Sequence, residues 1–480
     1  MKTLVLLAHF HRSPFLNHLW DGLTSTNRIR HSLQNVLPDS PCVEVGPFAT
    51  LVEYFRALAT AAAGFEEVVL ASADTPFLRG DTGLELLELH RRYQADYTFA
   101  DGFPIGLTPE IFHPRILAVL TEWSRDRGGP PTRESFFQVL SHDINRFDVE
   151  THLSPVDLRT QRLSLTANSA RGIRLLERVK PWISLPIKEM LQKIASEGSL
   201  LRTLPATLLV QVTNGVRQLP VWSPQGQFDP SALTRRDFLE REAWNQLLDR
   251  MLAFAGDLTV LPAFWGEPSL HPQIAGLLTD ALAKSGLSLC IETSGLGWNE
   301  ADLVALEKVA DGKIDWIVEL DSLEANTYAR LRGPGFEEAL ATTNRLLELF
   351  PGRVWPQTVR MRDNEAEMEA FYKFWKAKAG QVVLQKHNHF GGRLPSLKPA
   401  DLSPWARHPC WHAARDLAIF LDGTTVVCRD DYERTQSLGN AYVQTPAELW
   451  QAGEALFASH LQQSYPPVCR NCDEYYTFFF

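Results

Sequence analysis

The sequence predicts an α/β protein of three parts: an N-terminal α/β domain, a partial barrel of six β/α units and a small C-terminal module. Three observations predict this. The chain has 480 residues, too many for one hydrophobic core. Short apolar runs alternate with helical patterns as far as residue 395. Four of the six cysteines then fall in the last 71 residues. We place the domains at 1–200, 206–395 and 396–480.

Composition narrows the possible functions. The chain is 45% hydrophobic and 22% charged, which is typical of globular proteins. Its net charge of −10 argues against nucleic acid or an anionic membrane as partner. No apolar run approaches the ~20 residues of a membrane span, and the apolar start is too short for a signal peptide. Six cysteines in this length favour a reducing cytoplasm.

The N-terminal domain contains two clear strand candidates and three helix candidates. Buried strands are predicted at Leu4–Ala8 and Val68–Ala71, and helices at Tyr54–Ala63, Leu84–Tyr93 and Ile116–Ser124. Residues 199–205 have the composition of a linker.

The β/α rhythm repeats six times in the middle domain and predicts a parallel sheet curved toward a partial barrel. The predicted strands are Leu208–Val212, Leu258–Pro262, Ser288–Glu292, Trp316–Leu320, Val354–Val359 and Val382–Gln385. The predicted helices include Arg235–Phe254, His271–Ser285, Asn299–Val309 and Phe336–Phe350.

The cysteines of the C-terminal module predict a metal centre. A hairpin with its turn at Asp422-Gly423 brings Cys428 toward Cys410, and the Cys469–Cys472 turn closes the site. Four thiolates suit a structural zinc ion or an iron–sulfur cluster. The alternative is four unrelated buried thiols. The remaining cysteines, Cys42 and Cys290, stand alone in apolar surroundings and are interpreted as core residues.

A second motif, at residues 264–272, follows a predicted strand and precedes a helix. Gly266 would let a ligand approach the backbone, and Glu267 could pair with an ammonium group. An ordinary strand–helix turn explains the same pattern.

These motifs resemble radical S-adenosylmethionine (SAM) enzymes. Residues 265–268 are similar to the family's Gly-Gly-Glu-Pro motif, and residues 292–295 to its Thr-Asn-Gly step. The C-terminal module resembles the SPASM auxiliary-cluster domain, and the whole pattern resembles the spirochaete spiro-SPASM group. The resemblance implies two sets of site residues. Those implied for SAM are Gly266, Glu267, Pro268, Thr293, Ser294 and Arg332, and those for an auxiliary 4Fe–4S cluster are Cys410, Cys428, Cys469 and Cys472.

One difference from the family concerns the residues that would bind the catalytic cluster. The three cysteines expected after the first barrel strand are replaced by Val216, Pro220 and Ser223. Two of these side chains offer no ligating atom, and a serine alone cannot hold iron. We therefore expect that the catalytic cluster, and with it reductive SAM cleavage, has been lost.

Two further motifs leave alternatives open. Asp74 and Pro76 resemble the Asp-x-Pro step of nucleotidyltransferases, where the aspartate holds a divalent metal, but the loop at 8–15 lacks the glycines that cradle a triphosphate. A structural turn aspartate is the other interpretation. Lys386-His387-Asn388-His389 ends the sixth strand, where histidines could transfer protons, contact substrate or cap a loop.

The predicted function is therefore an iron–sulfur protein with one 4Fe–4S cluster, with zinc as the rival metal. It would bind SAM weakly and act as a binding or electron-transfer scaffold. A peptide or small-molecule substrate and an electron-donor protein are the expected partners. One alternative is an active enzyme whose catalytic cluster has unusual ligands or is completed by a partner. The other is nucleotidyl transfer by the N-terminal domain.

Overall fold

The computed structural model describes residues 2–10, 14–125 and 129–477. The chain divides into two compact units at Thr203 and Leu204, and each is described by itself.

The first unit is a mixed sheet with helices packed on it. Its strands are β1 (Thr3–Ala8), β2 (Cys42–Val45), β3 (Glu67–Ser72), β4 (Tyr97–Asp101), β5 (Glu110–Phe112) and β6 (Val149–Leu153). Its helices are α1 (Ser25–Gln34), α2 (Leu51–Ala61), α3 (Gly80–Tyr93), α4 (Leu117–Trp123), α5 (Ser135–Leu140), α6 (Ala170–Val179) and α7 (Ile187–Ser196).

The apolar sequence of the central strand of this sheet is explained by its burial. Every residue of β1 is buried, as is usual for a parallel strand covered on both faces. The strand order is β2-β1-β3-β5-β4-β6, and β5 runs antiparallel to both of its neighbours. The two strands predicted in this unit are confirmed as β1 and β3. The antiparallel β5 was not predicted, because it spans only three residues.

The second unit is built on a longer sheet. Its strands are β7 (Thr207–Val210), β8 (Leu258–Leu261), β9 (Leu287–Thr293), β10 (Ile314–Glu319), β11 (Val354–Arg360), β12 (Val383–Lys386), β13 (Asp416–Ile419), β14 (Thr424–Val426) and β15 (Ser437–Asn440). Its helices are α8 (Pro224–Phe228), α9 (Arg241–Ala255), α10 (Ile274–Leu282), α11 (Glu300–Ala310), α12 (Ala325–Arg332), α13 (Phe336–Leu349), α14 (Met368–Ala379), α15 (Trp411–Arg415), α16 (Pro446–Ala452), α17 (Glu454–Leu461) and α18 (Pro467–Arg470).

Strands β7 to β12 are the six parallel strands that the sequence predicts. The C-terminal hairpin joins the same sheet, because β13 pairs in parallel with β7 and places Ala418 opposite Leu209. The full order is β12-β11-β10-β9-β8-β7-β13-β14-β15. The strands that lie between Cys410 and Cys428 therefore extend the barrel sheet, which the sequence did not predict.

One helix prediction is wrong at its start. The helix expected from residue 235 begins at Arg241. The preceding residues instead run beside the first barrel loop, where Phe238 forms an isolated bridge with Thr213. The Leu239 N–H donates to the carbonyl of Val212 at 2.9 Å, so tertiary pairing overrides local helical propensity here.

Candidate cofactor cleft and cysteine site

The two sets of residues singled out after the barrel strands line one cleft. Gly266, Glu267, Thr293, Ser294 and Arg332 lie there, together with the three replaced positions, Val216, Pro220 and Ser223. Pro268 is buried beside the cleft and is not among its lining residues. The order of strands brings these residues together, because successive parallel strands end at the same edge of the sheet.

Glu267 joins the ends of two neighbouring strands. Its carboxylate accepts hydrogen bonds from Thr293 Oγ1 at 2.6 Å, from Ser294 Oγ at 2.6 Å and from the Ser294 N–H at 2.8 Å. Both of its oxygens therefore have protein donors. The carboxylate organises the cleft wall and adds negative charge to it.

Close backbone packing explains why residue 266 is a glycine, and the sequence did not reveal this packing. A Cβ built at this position would lie 1.8 Å from the carbonyl oxygen of Thr213, so only glycine lets the two backbone segments meet. Beside it, Glu267 donates its N–H to the carbonyl of Gly215 at 2.8 Å. The first barrel loop is thus fastened to the motif at 265–268 through the backbone.

The loop that carries cluster ligands in the resembling family is held by other means here. Ser223 caps α8, and its Oγ accepts from the Gln225 N–H at 3.3 Å. Gln218 donates from Nε2 to the Pro334 carbonyl at 2.6 Å and to the Tyr328 hydroxyl at 3.1 Å. Trp222 Nε1 donates to Asp321 at 2.9 Å. Polar side chains between the replaced positions anchor the loop.

Arg332 is the centre of this anchoring network. Its guanidinium donates to Asp321 at 2.7 Å, to Glu319 at 2.7 Å and to Gln218 at 3.1 Å. The side chains of Arg332 and Asp321 are each 1% exposed, whereas that of Glu319 is 19% exposed. The guanidinium carbon also lies 5.5 Å from the ring centre of Trp222. Such a buried charge is tolerated because each donor group has a partner.

Two carboxylates on the cleft wall, Glu292 and Glu319, are each paired with an arginine. Glu292 forms a two-pronged ion pair with Arg429, with Nη2 to Oε2 at 2.6 Å. Burial raises the pKa of Glu319 to about 7, although Arg332 acts to lower it. The Glu292–Arg429 pair was not predicted, since its members are 137 residues apart.

The histidines at the end of β12 take different roles. His389 Nδ1 accepts the Gly392 N–H at 2.8 Å, which confirms the loop-capping alternative for that residue. Asn388 donates to both carboxylate oxygens of Asp430 at 3.1 Å. Lys386 pairs with Glu474 and, at 3.2 Å, with Asp473. His387 is buried and lines a neighbouring cavity.

The four C-terminal cysteines line one small cavity. Cys410 caps the start of α15, Cys428 follows β14, and the other two lie at the end of α18 and just after it. The hairpin prediction is confirmed, because β14 pairs antiparallel to β13 with Ile419 opposite Thr425. Cys428 Sγ accepts the Asp430 N–H at 3.4 Å and Cys472 Sγ accepts the Glu474 N–H at 3.3 Å. The backbone N–H groups of His412 and Ala413 serve the Cys410 sulfur.

The electrostatics of this cavity disfavour free thiolates. Burial raises the pKa of Cys410 to about 12 and that of Cys469 to about 11, and it raises those of Cys428 and Cys472 as well. Four sulfurs in one cavity, with backbone N–H donors beside them, are the same kinds of group that metal–thiolate sites use. Among the residues that the structure describes, no three His, Cys, Asp or Glu side chains are already arranged around a single ion position.

The other two cysteines lie elsewhere. Cys290 is buried in the core of the second unit, as the sequence predicted, and burial raises the pKa of its thiol strongly. Cys42 is only partly buried at the start of β2, so its assignment to a core is only partly correct.

The aspartate of the N-terminal motif is held by an ion pair. Asp74 is 3% exposed and receives Arg133 Nη2 on both carboxylate oxygens, at 2.7 and 2.8 Å. Ser72 donates its hydroxyl to the same carboxylate at 2.6 Å. Part of the loop expected to cradle phosphate, residues 11–13, lies outside the described residues.

The comparisons with known proteins agree with this arrangement. The SPASM iron–sulfur cluster-binding domain matches residues 410–473, which include all four clustered cysteines. This C-terminal region of the chain therefore matches the SPASM domain. The chain belongs to the family of an uncharacterized protein of Treponema pallidum (strain Nichols), 33% identical over 358 residues, or 72% of this chain and 98% of that one.

Solved structures resemble the chain only distantly. Streptococcus suis SuiB bound to precursor peptide SuiA is 13% identical with a TM-score of 0.45, covering 57% of this chain and 75% of that one. A cytidylyltransferase from Leptospira borgpetersenii serovar Hardjo-bovis is also 13% identical, with a TM-score of 0.35, covering 42% of this chain and 96% of that one.

The described helices were compared with the length and apolar character of a membrane span. Within residues 2–10, 14–125 and 129–477, no helix combines the length and the apolar character that a bilayer crossing requires.

Proposed function

We propose that this protein binds one 4Fe–4S cluster through Cys410, Cys428, Cys469 and Cys472, and that it serves as a binding or electron-transfer scaffold without cleaving SAM reductively. The observation that carries the proposal is the contrast between its two sites. Four thiols line one cavity at the C-terminal site, whereas the cleft expected to hold the catalytic cluster is lined by Val216, Pro220 and Ser223.

Two features of the cysteine site support a cluster there. A cluster accepts and releases one electron at a potential set by hydrogen bonds to its sulfurs and by burial. The backbone N–H groups of Asp430 and Glu474 already point at two of the sulfurs. Because burial raises all four thiol pKa values, the thiolates gain most from a bound cation.

The barrel cleft supports weak binding of SAM or a related adenosyl ligand. Both polar and apolar side chains line it, and acidic Glu267 forms part of its wall. The iron that the ligand would chelate has no cysteine donors at 216, 220 or 223. We therefore propose poor affinity and no delivery of an electron to the sulfonium.

The expected partners follow from the same proposal. A scaffold that cycles electrons needs a donor protein, and we propose a peptide or small-molecule ligand for the cleft. A reducing cytoplasm would suit the free thiols of the cluster site.

Anaerobic reconstitution tests the cluster. The full chain should take up about four irons and four sulfides, the content of one cubane. Cys472→Ala should lose most of that iron and the visible charge-transfer absorbance. The matched control is Cys290→Ala, because Cys290 is a buried thiol away from the site. Stoichiometric zinc without iron in the wild-type chain would contradict the proposal of a cluster.

Release of 5′-deoxyadenosine under dithionite tests the absence of cleavage. The wild-type chain should give none above a no-enzyme control. A triple variant with cysteine at 216, 220 and 223 should gain about four further irons, one additional cubane. Repeated turnover by the unmodified chain would instead support the alternative of an active enzyme with unusual cluster ligands.

Calorimetric titration with SAM tests the cleft. Weak binding by the wild-type chain should fall further in Glu267→Gln, which removes one negative charge but keeps the side chain's shape. Glu369→Gln is the control, since Glu369 is an exposed residue of α14. Equal heats from both variants would remove Glu267 from the proposed site.

A further inference from the structure

A buried histidine shares the cavity of the four cysteines. His460 lies at the end of α17, is only 2% exposed and lines this cavity with the thiols. Among the described residues, neither Nδ1 nor Nε2 of His460 has a hydrogen-bond partner. Burying a polar ring without a partner costs free energy, so the position calls for a group that the ring can bind.

The other histidine of the cavity is already engaged. His412 interacts through Nδ1 with Asp416 at 2.6 Å and through Nε2 with the Thr477 hydroxyl at 3.1 Å. Its ring therefore supports the polypeptide around the site. Only His460 combines burial, a position on the cavity wall and two ring nitrogens without partners in the described part of the chain.

The surroundings of His460 fix its ring but leave its nitrogens unused. The ring contacts Tyr465 edge-on, with ring centres 5.0 Å apart. The guanidinium carbon of Arg407 lies over the Tyr465 ring, 3.8 Å from its centre. The Arg407 guanidinium donates to the carbonyls of Cys469 at 2.6 Å and Arg470 at 3.1 Å, so it holds the cysteine turn.

The His460 ring carries at least one N–H donor whether it is neutral or charged, and its surroundings in the metal-free chain favour the neutral form. Burial, followed by the positive charge of Arg407, lowers its pKa to about 4. A neutral imidazole carries one N–H donor and one acceptor nitrogen. Thiolate and sulfide sulfurs offer acceptors only, so they match the donor.

We propose that His460 donates an N–H···S hydrogen bond to the metal–sulfur centre held by the four cysteines, as a positioning residue that sets its reduction potential and is not a ligand. This rests on the proposed cluster. A hydrogen bond to a cluster sulfur stabilises the more negative, reduced state and so raises the potential.

Redox titration of the reconstituted full chain, followed by electron paramagnetic resonance, tests this role. The set is wild type, His460→Phe, His460→Gln and His387→Phe. His387→Phe is the matched control, because His387 is equally buried, likewise has two ring nitrogens without partners among the described residues, and lines the neighbouring cavity. Iron and sulfide per chain are measured on each sample.

We expect all four proteins to bind the same amount of iron. His460→Phe should have a lower midpoint potential than wild type, His460→Gln should recover much of the difference through its amide N–H, and His387→Phe should match wild type. Equal potentials for His460→Phe and His387→Phe would overturn the proposal. Loss of iron from both His460 variants would also overturn it, because it would make His460 a ligand or a scaffold residue. A wild-type chain without iron would instead refute the proposed function itself.

Discussion

Removing the buried guanidinium of Arg332 should destabilise the second unit strongly. In Arg332→Met, the substitution deletes contacts to Asp321, Glu319 and Gln218 at 2.7, 2.7 and 3.1 Å, and it leaves the Asp321 carboxylate buried at 1% exposure. Breaking a buried ion pair by removing one partner costs about 3–5 kcal/mol. For the unit from Leu204 to Phe480, that corresponds to a fall in Tm of roughly 5–9 °C.

The site should respond as well as the fold. Gln218 and Trp222 depend on the same network, so the loop at 216–223 should lose its anchor. Differential scanning calorimetry of the full chain measures the first effect. Hydrogen exchange of the loop amides measures the second, and it should rise in the variant while exchange in β1 stays unchanged.

Arg345→Met is the matched control. Arg345 pairs with Glu300 and Glu348, but its side chain is 36% exposed. Exposed pairs are screened by water and salt and contribute little, so this variant should unfold close to wild type. If Arg332→Met loses less than about 1 kcal/mol, or no more than Arg345→Met, the assignment of the network as the anchor of the loop is wrong.

Two further predictions concern the same cleft. Gly266→Ala should destabilise the second unit by about 1–3 kcal/mol or more, since its Cβ would meet the Thr213 carbonyl at 1.8 Å. Gly226→Ala, whose nearest neighbour would be 3.7 Å away within α8, should be neutral or slightly stabilising in urea denaturation, and similar losses in both would contradict the packing argument. Glu319 has a folded pKa of about 7 against an ordinary 4.5, so the native state binds the extra proton and stability should fall as pH rises between these values. Because its side chain keeps 19% exposure, the loss due to Glu319 is at most about 3 kcal/mol. Burial also raises the pKa values of Glu110 and Asp430, so the loss between pH 5 and pH 8 in urea denaturation should be smaller in Glu319→Gln than in wild type, and an equal loss would contradict the assignment.

The sequence by itself determined the strands of the barrel and the composition of both sites. Central parallel strands are covered on both faces, so runs such as Leu208–Val210 must be continuously apolar and can be recognised locally. The hairpin with its glycine turn at 423 could likewise be recognised from the sequence, because it forms between residues that are close in the chain. The Cys-x-x-Cys pair at 469–472 is local in the same sense. The replacement of ligands at 216, 220 and 223 is visible in the same way, because side-chain chemistry decides it.

Only the tertiary structure decided which distant residues meet. β13 joins β7, which lies over 200 residues earlier in the chain, and nothing in either apolar run specifies that pairing. Arg332 has several acidic residues within reach in sequence, and the fold selects Glu319 and Asp321. His460 lies in an ordinary helix and carries no motif. We infer its role from a buried position in which neither ring nitrogen has a partner among the described residues. Burial and pairing are properties of three-dimensional packing that one sequence does not encode locally.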